Sequence, residues 1–285
     1  MAGAPKVAST GRRIAVLVCA MAFMTAVWSS PAAAALEDEV AGMGTRSDDA
    51  PLWVVTNRGQ VKELFPNPGP GLGDVTNRRL NAPIVDLEST PDAGGTTGYW
   101  LLGRDGGVFT FGSARFFGST ADRKLNQPVV SMSSPTGADG YWIAAADGGV
   151  YSFGVPFYGS MAGNRLNSPI IAIQTTISGK GYWLLARDGG VFAFGDAKFS
   201  GSNSGQRLNQ TIVSMAPDPD GSGYWTMAAD GGIFSFGDAP FFGSAVGKIA
   251  TGDRASGFSP FRTEAATGHA VVTVQGKLLF VIAGS

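Results

Sequence analysis

An all-β fold, a β-propeller of about six four-stranded blades, is predicted from three features of this 285-residue sequence. Gly-Tyr-Trp recurs at 98, 140, 181 and 223, a period of about 42 residues. Each copy then runs into Asp-Gly-Gly, an aliphatic, an aromatic, a small residue and Phe-Gly, as in Asp105–Gly112. The pieces between glycines are short, β-branched and aromatic. A period of 40 to 50 residues assembled from such pieces marks a propeller or a related array.

Residues 129–160 show one unit. Val129–Ser134 is a β-branched first strand after Pro128, and 135–140 is a turn cluster. Tyr141–Ala145 is the second strand, Asp147-Gly148-Gly149 a hairpin turn, and Val150–Phe153 the third. Pro156–Ser160 reads as a short fourth strand, and a polar link through Arg165-Leu166-Asn167 leads onward. The second and third strands are apolar on both faces, which predicts that both are covered. Glycine at the hairpin supplies positive φ, expected at Gly149, and aspartate bonds the turn amides. Asp105, Asp147, Asp188 and Asp230 are therefore read as structural. A further expectation is that they approach Asn126, Arg165, Asn167, Arg207 or Asn209 of the links and lock the units in register. Trp100, Trp142, Trp183 and Trp225 are read as core between units.

The outer copies are degenerate, as terminal repeats are. Trp53-Val54-Val55 with Arg58-Gly59 opens the array, without an obvious first strand. Gly268-His269-Ala270 with Gln275-Gly276 closes it, histidine replacing tyrosine and alanine replacing tryptophan. Hairpins at 53, 100, 142, 183, 225 and 270 make six units; five or seven remain compatible with the degenerate ends.

Residues 1–35 are read as a signal peptide: Lys6, Arg12 and Arg13, an apolar run 14–28, then Pro31-Ala32-Ala33-Ala34-Ala35. The run falls short of the ~20 residues that span a bilayer. Cleavage is thus preferred over a retained anchor, and no stable membrane span is expected after it. Residues 36–50 are read as an N-terminal linker and 51–285 as the repeat domain. Without residues 1–35, 18 Lys and Arg face 22 Asp and Glu, net −4, and Cys19 is lost. Nucleic acid is an unfavourable partner for that charge. Stability must come from packing rather than disulfides.

The phrase Gly181–Ala197, with Arg165–Pro169 and Arg207-Leu208-Asn209, resembles a tandem repeat of secreted actinobacterial proteins. The resemblance is strong over 98–244 and weak over 51–97 and 245–285. It implies a propeller-like display module of a secreted protein. In that group the repeats often accompany hydrolase or peptidase domains; here the repeats occupy 51–285, and no attached catalytic domain is expected.

Chemistry is sparse. With His269 the sole histidine, zinc sites of the usual kind are not expected, nor a triad without His269. No catalytic, cofactor or metal residue is assigned. Asp218-Pro219-Asp220-Gly221 lacks the spacing of a calcium loop and reads as a turn. Where copies differ, the first strands carry varied polar residues expected to line a central channel. Asp86, Glu88, Gln174, Arg262 and Glu264 are the candidate ligand-binding residues. The expected function is a secreted or envelope-associated binding scaffold that recognises a protein or glycan. The alternative is a hydrolase or lyase using Asp86, Glu88 and Glu264.

Overall fold

The structure is a computed structural model that describes residues 38–44, 52–65, 72–90, 98–137, 139–262 and 266–283. The expected signal peptide and Glu264 lie outside the described residues. Residues 36–285 form one compact unit. Every described element is a strand, and the eighteen strands form six antiparallel sheets of three consecutive strands each.

The first sheet contains β1 (Val40–Gly44), β2 (Leu52–Thr56) and β3 (Val61–Phe65). The second contains β4 (Ile84–Ser89), β5 (Gly98–Gly103) and β6 (Val108–Gly112). The third contains β7 (Val129–Ser133), β8 (Tyr141–Ala145) and β9 (Val150–Phe153). The fourth contains β10 (Ile170–Thr175), β11 (Gly181–Ala186) and β12 (Val191–Gly195). The fifth contains β13 (Ile212–Pro217), β14 (Gly223–Ala228) and β15 (Ile233–Gly237). The sixth contains β16 (Ala255–Arg262), β17 (Thr267–Thr273) and β18 (Leu278–Ile282). The missing first strand of the opening copy is thus Val40–Gly44, inside the segment read as linker.

First strands neighbour one another in the succession β1, β4, β7, β10, β13, β16, and β16 also neighbours β1. A repeated backbone bond joins the sheets. The first residue of a first strand donates to the residue that leaves the preceding second strand: Ile170 N–H to Ala146 at 3.0 Å, Ala255 to Ala229 at 2.8 Å. Val40 N–H donates in the same way to Val274 of the sixth sheet at 2.9 Å. The two chain ends of the array therefore meet through the bond that joins the other sheets.

The second strands β5, β8, β11 and β14 are buried along their length. The third strands are only half-buried, against the expectation of two covered faces, because each is the outer edge of its sheet. The expected fourth strand does not form. Its backbone groups are taken up by side chains instead of a ladder. The Trp100 indole N–H donates to Arg115 C=O at 2.8 Å, Trp142 to Pro156 at 2.8 Å, Trp183 to Lys198 at 2.9 Å and Trp225 to Pro240 at 2.8 Å. From the following sheet, the Tyr141 hydroxyl donates to Gly118 C=O at 2.6 Å and accepts from Phe117 N–H at 3.3 Å. Tyr182 does the same at Gly159 and Tyr158, and Tyr224 at Gly201 and Ser200. The outer segment therefore bridges two sheets rather than extending one.

The same aromatic residues meet across four successive interfaces. Ring centroids are 5.4 Å apart for Trp53–Tyr99 and Trp100–Tyr141, 5.1 Å for Trp142–Tyr182 and 5.6 Å for Trp183–Tyr224. This is the core between units expected of the tryptophans, with tyrosine as its partner.

At each hairpin the aspartate accepts from the second glycine's N–H: Asp105 at 3.1 Å, and Asp147, Asp188 and Asp230 at 3.0 Å. No ion pair or hydrogen bond joins these carboxylates to Asn126, Arg165, Asn167, Arg207 or Asn209 among the described residues, so the expected register lock is absent. The link is held by the backbone instead: Met161 N–H donates to Gly148 C=O at 2.9 Å, and Ala245 to Gly231 at 2.9 Å. Positive φ falls on the first glycine, Gly148 at 81°, and not on Gly149. A Cβ on Gly148 would lie 2.5 Å from that of Met161. Gly148→Ala should therefore destabilise the protein by roughly 1–2 kcal/mol from backbone strain alone, and by more than Gly149→Ala. Equilibrium denaturation of both variants checks the order.

Candidate functional site

All six first strands carry a register shift after their first residue, Ile84/Asp86 in β4 and Val129/Ser131 in β7 among them. Such a bulge re-aims the side chains that follow it. In β1, β4 and β7 the third and fifth residues lie against the next first strand. In β4 these are Asp86 and Glu88. Asp86 Oδ2 accepts from Met132 N–H at 2.9 Å, and its Oδ1 from Leu87 N–H at 2.9 Å. Glu88 Oε1 accepts from Ser134 N–H at 2.7 Å.

In β7 the corresponding residues are Ser131 and Ser133, and their hydroxyl oxygens accept from Ile173 and Thr175 N–H at 3.3 and 3.2 Å. In β1 they are Gly42 and Gly44. A Cβ on Gly42 would lie 2.7 Å from Leu87 N, so glycine there permits close approach of β4. Gln174 occupies the fifth position of β10. The facing residue in β13 is Pro217, which has no N–H to offer. The proline explains why glutamine makes no such bond.

The candidate residues do not converge. Asp86 and Glu88 stand two apart on one strand and reach β7. Gln174 lies on β10, two sheets further on. Arg262 ends β16, where its Nη2 is 3.8 Å from Asp218 Oδ1, and is half-exposed. Asp218, fully buried, was not among the sequence candidates. Its Oδ1 accepts from Asp220 N–H at 3.3 Å and its Oδ2 from the Ser222 hydroxyl at 3.3 Å, while Asp220 Oδ1 accepts from Ser222 N–H at 2.9 Å. These bonds are those of a turn. Among the described residues no cluster of three or more His, Cys, Asp or Glu side chains could hold a metal ion. No helix among them is long and apolar enough to cross a membrane.

Burial dominates the electrostatics. It pushes Asp86 up to about 6 despite the hydrogen bonds from Met132, Ser131 and Leu87. It pushes Glu88 up to about 8, with the Asp86 charge adding to the rise. Asp218 is also raised by burial, which outweighs the nearby Arg262 guanidinium. At neutral pH Asp86 is largely ionised and Glu88 largely protonated.

No family model matches the sequence, and no curated protein matches it. Among solved structures, the chain is similar to the computationally designed Ika8 protein. Identity is 11% and the TM-score 0.45, over 87% of this chain and 73% of that one.

A raised carboxyl pKa means that the folded state binds the proton more tightly than the unfolded state. The Glu88 contribution is complete below pH 4.5 and is lost as pH rises towards 8. Asp86 is half-titrated near pH 6 and adds only about 0.2 kcal/mol above pH 6.5, which leaves the window from 6.5 to 8 mainly to Glu88. Across it, wild-type stability should fall by about 1–2 kcal/mol on this account. Glu88→Gln keeps an oxygen for Ser134 N–H and should remove that fall. Chemical denaturation at several pH values checks it.

Proposed function

We propose that this protein is a six-bladed β-propeller with three-stranded blades that acts as a non-enzymatic binding scaffold outside the cell or in its envelope. The observation that carries the reading is the use made of Asp86 and Glu88. Both carboxyls accept backbone N–H groups of the next first strand, where Ser131 and Ser133 do the same work one sheet further on. They act as ties between sheets. A catalytic pair would need its oxygens turned towards a substrate.

The resemblance to secreted actinobacterial repeats supports the extracellular setting. The variable connecting loops and the channel mouth supply the recognition surface. The ligand class is an envelope protein or glycan. A hydrolase reading draws on the two neighbouring carboxyls, both raised by burial and Glu88 the more so, which is the ordering an acid–base pair needs. It is the weaker reading because each carboxyl already has a structural partner.

Residues 36–285 should co-sediment saturably with native envelope fractions. Binding should disappear at one step when the fractions are stripped in turn of protein, lipid and glycan. Failure to bind any fraction would overturn the envelope-scaffold reading.

A further inference from the structure

His269 occupies the place of the interface tyrosine in the sixth sheet and does not do its work. It is fully buried, and neither ring nitrogen has a hydrogen-bond partner among the described residues. Three rings enclose it: Trp225 of β14 at 4.9 Å between centroids, Phe242 of the outer segment at 5.2 Å and Phe258 of β16 at 5.3 Å. Its register partners are Pro260 on β16 and Val281 on β18. None of these groups is charged or titratable. A neutral imidazole fits this box. An imidazolium would bring a full charge into an apolar interface without an acceptor. Attraction between the cation and the ring faces offsets only a part of that cost.

On its other side, too, the sixth sheet lacks the aromatic pair. Against the first sheet it presents Ala270 where the other sheets have tryptophan, and it meets Leu52 where they have tyrosine. That contact is aliphatic, with Val40, Leu52, Val54 and Val272 at its centre.

We propose that His269 is a proton-operated latch: its protonation separates the sixth sheet from the fifth and exposes the apolar interface between them. Burial holds the imidazole down at about 4, below its ordinary 6.5. A depressed folded value means that the closed state is complete above pH 6.5 and is progressively lost as pH falls towards 4. Asp86 and Glu88 act in the opposite sense, since acid favours their folded forms. Their carboxyls hold Met132 and Ser134, so acid does not loosen the third sheet and it serves as an internal reference.

His269 is the only histidine in the sequence, so its ring protons report alone in a proton NMR titration. The folded protein should show no titration step near pH 6.5, and a folded midpoint of 6 or above would overturn the proposal. Hydrogen exchange, corrected for intrinsic rates, should show opening of β16–β18 rising about 30-fold from pH 7.5 to pH 5. Over the same range β7–β9 should show no such rise. In His269→Phe the rise should vanish. An equal rise in His269→Phe, or none in the wild type, would contradict the latch.

Discussion

The contact between tryptophan of one sheet and tyrosine of the next is the interaction on which the rest of this structure depends. It does two things at once. The two rings fill the interface, and their polar atoms reach outward to the segment that follows each third strand. A buried indole N–H or phenol O–H without a partner would be costly. The indoles of Trp100, Trp142, Trp183 and Trp225 and the phenols of Tyr141, Tyr182 and Tyr224 find carbonyls on that outer segment. The segment is thereby held across two sheets, which is why it forms no ladder with either.

The first strands answer the same requirement differently. Adjacent sheets must satisfy or exclude the N–H groups that face each other near the centre. Asp86, Glu88, Ser131 and Ser133 accept them, Pro217 removes one, and Gly42 and Gly44 let the strands come close. Carboxylate, hydroxyl and glycine are thus alternative solutions to one geometric problem. The chemical variety at Asp86, Glu88, Ser131 and Ser133, which reads in sequence like a binding site, also serves these backbone bonds. The seam between the sixth and first sheets is the exception, with Ala270 and Leu52 in place of the aromatic pair. It is closed by the aliphatic contact of Val40, Leu52, Val54 and Val272, by the Val40–Val274 backbone bond and by the Ser256 hydroxyl, which donates to Val40 C=O at 3.1 Å.

Much of this was legible in the sequence. The period locates four hairpins because tryptophan, the turn aspartate and glycine recur at fixed offsets, and the two degenerate ones through Trp53 with Gly59 and Gly268 with Gly276. The tryptophans are in the core as their spacing implied. Three features were not legible. Val40–Gly44 is rich in small residues because β4 packs close to it, so it lacks the β-branched signature of a strand. Pro156–Ser160 has that signature in part, yet its backbone bonds go to Trp142 and Tyr182, which no local pattern reveals. In Asp147-Gly148-Gly149 either glycine could carry the positive φ, and only the closed turn assigns it to Gly148. At the candidate site, the polar variation of the first strands was visible. The bulge that turns Asp86 and Glu88 towards β7 was not. The tyrosine tie did leave a signal: in three successive copies a glycine lies 23 residues before each tyrosine, at 118, 159 and 201.

The most direct test of this account is the stability of Tyr182→Phe, which keeps the ring and removes only the hydroxyl. The account predicts a loss of roughly 1–3 kcal/mol, because Gly159 C=O and Tyr158 N–H lose their shared partner at a partly buried interface. A change within a few tenths of a kcal/mol would contradict it, and would assign the cohesion of the sheets to ring packing alone.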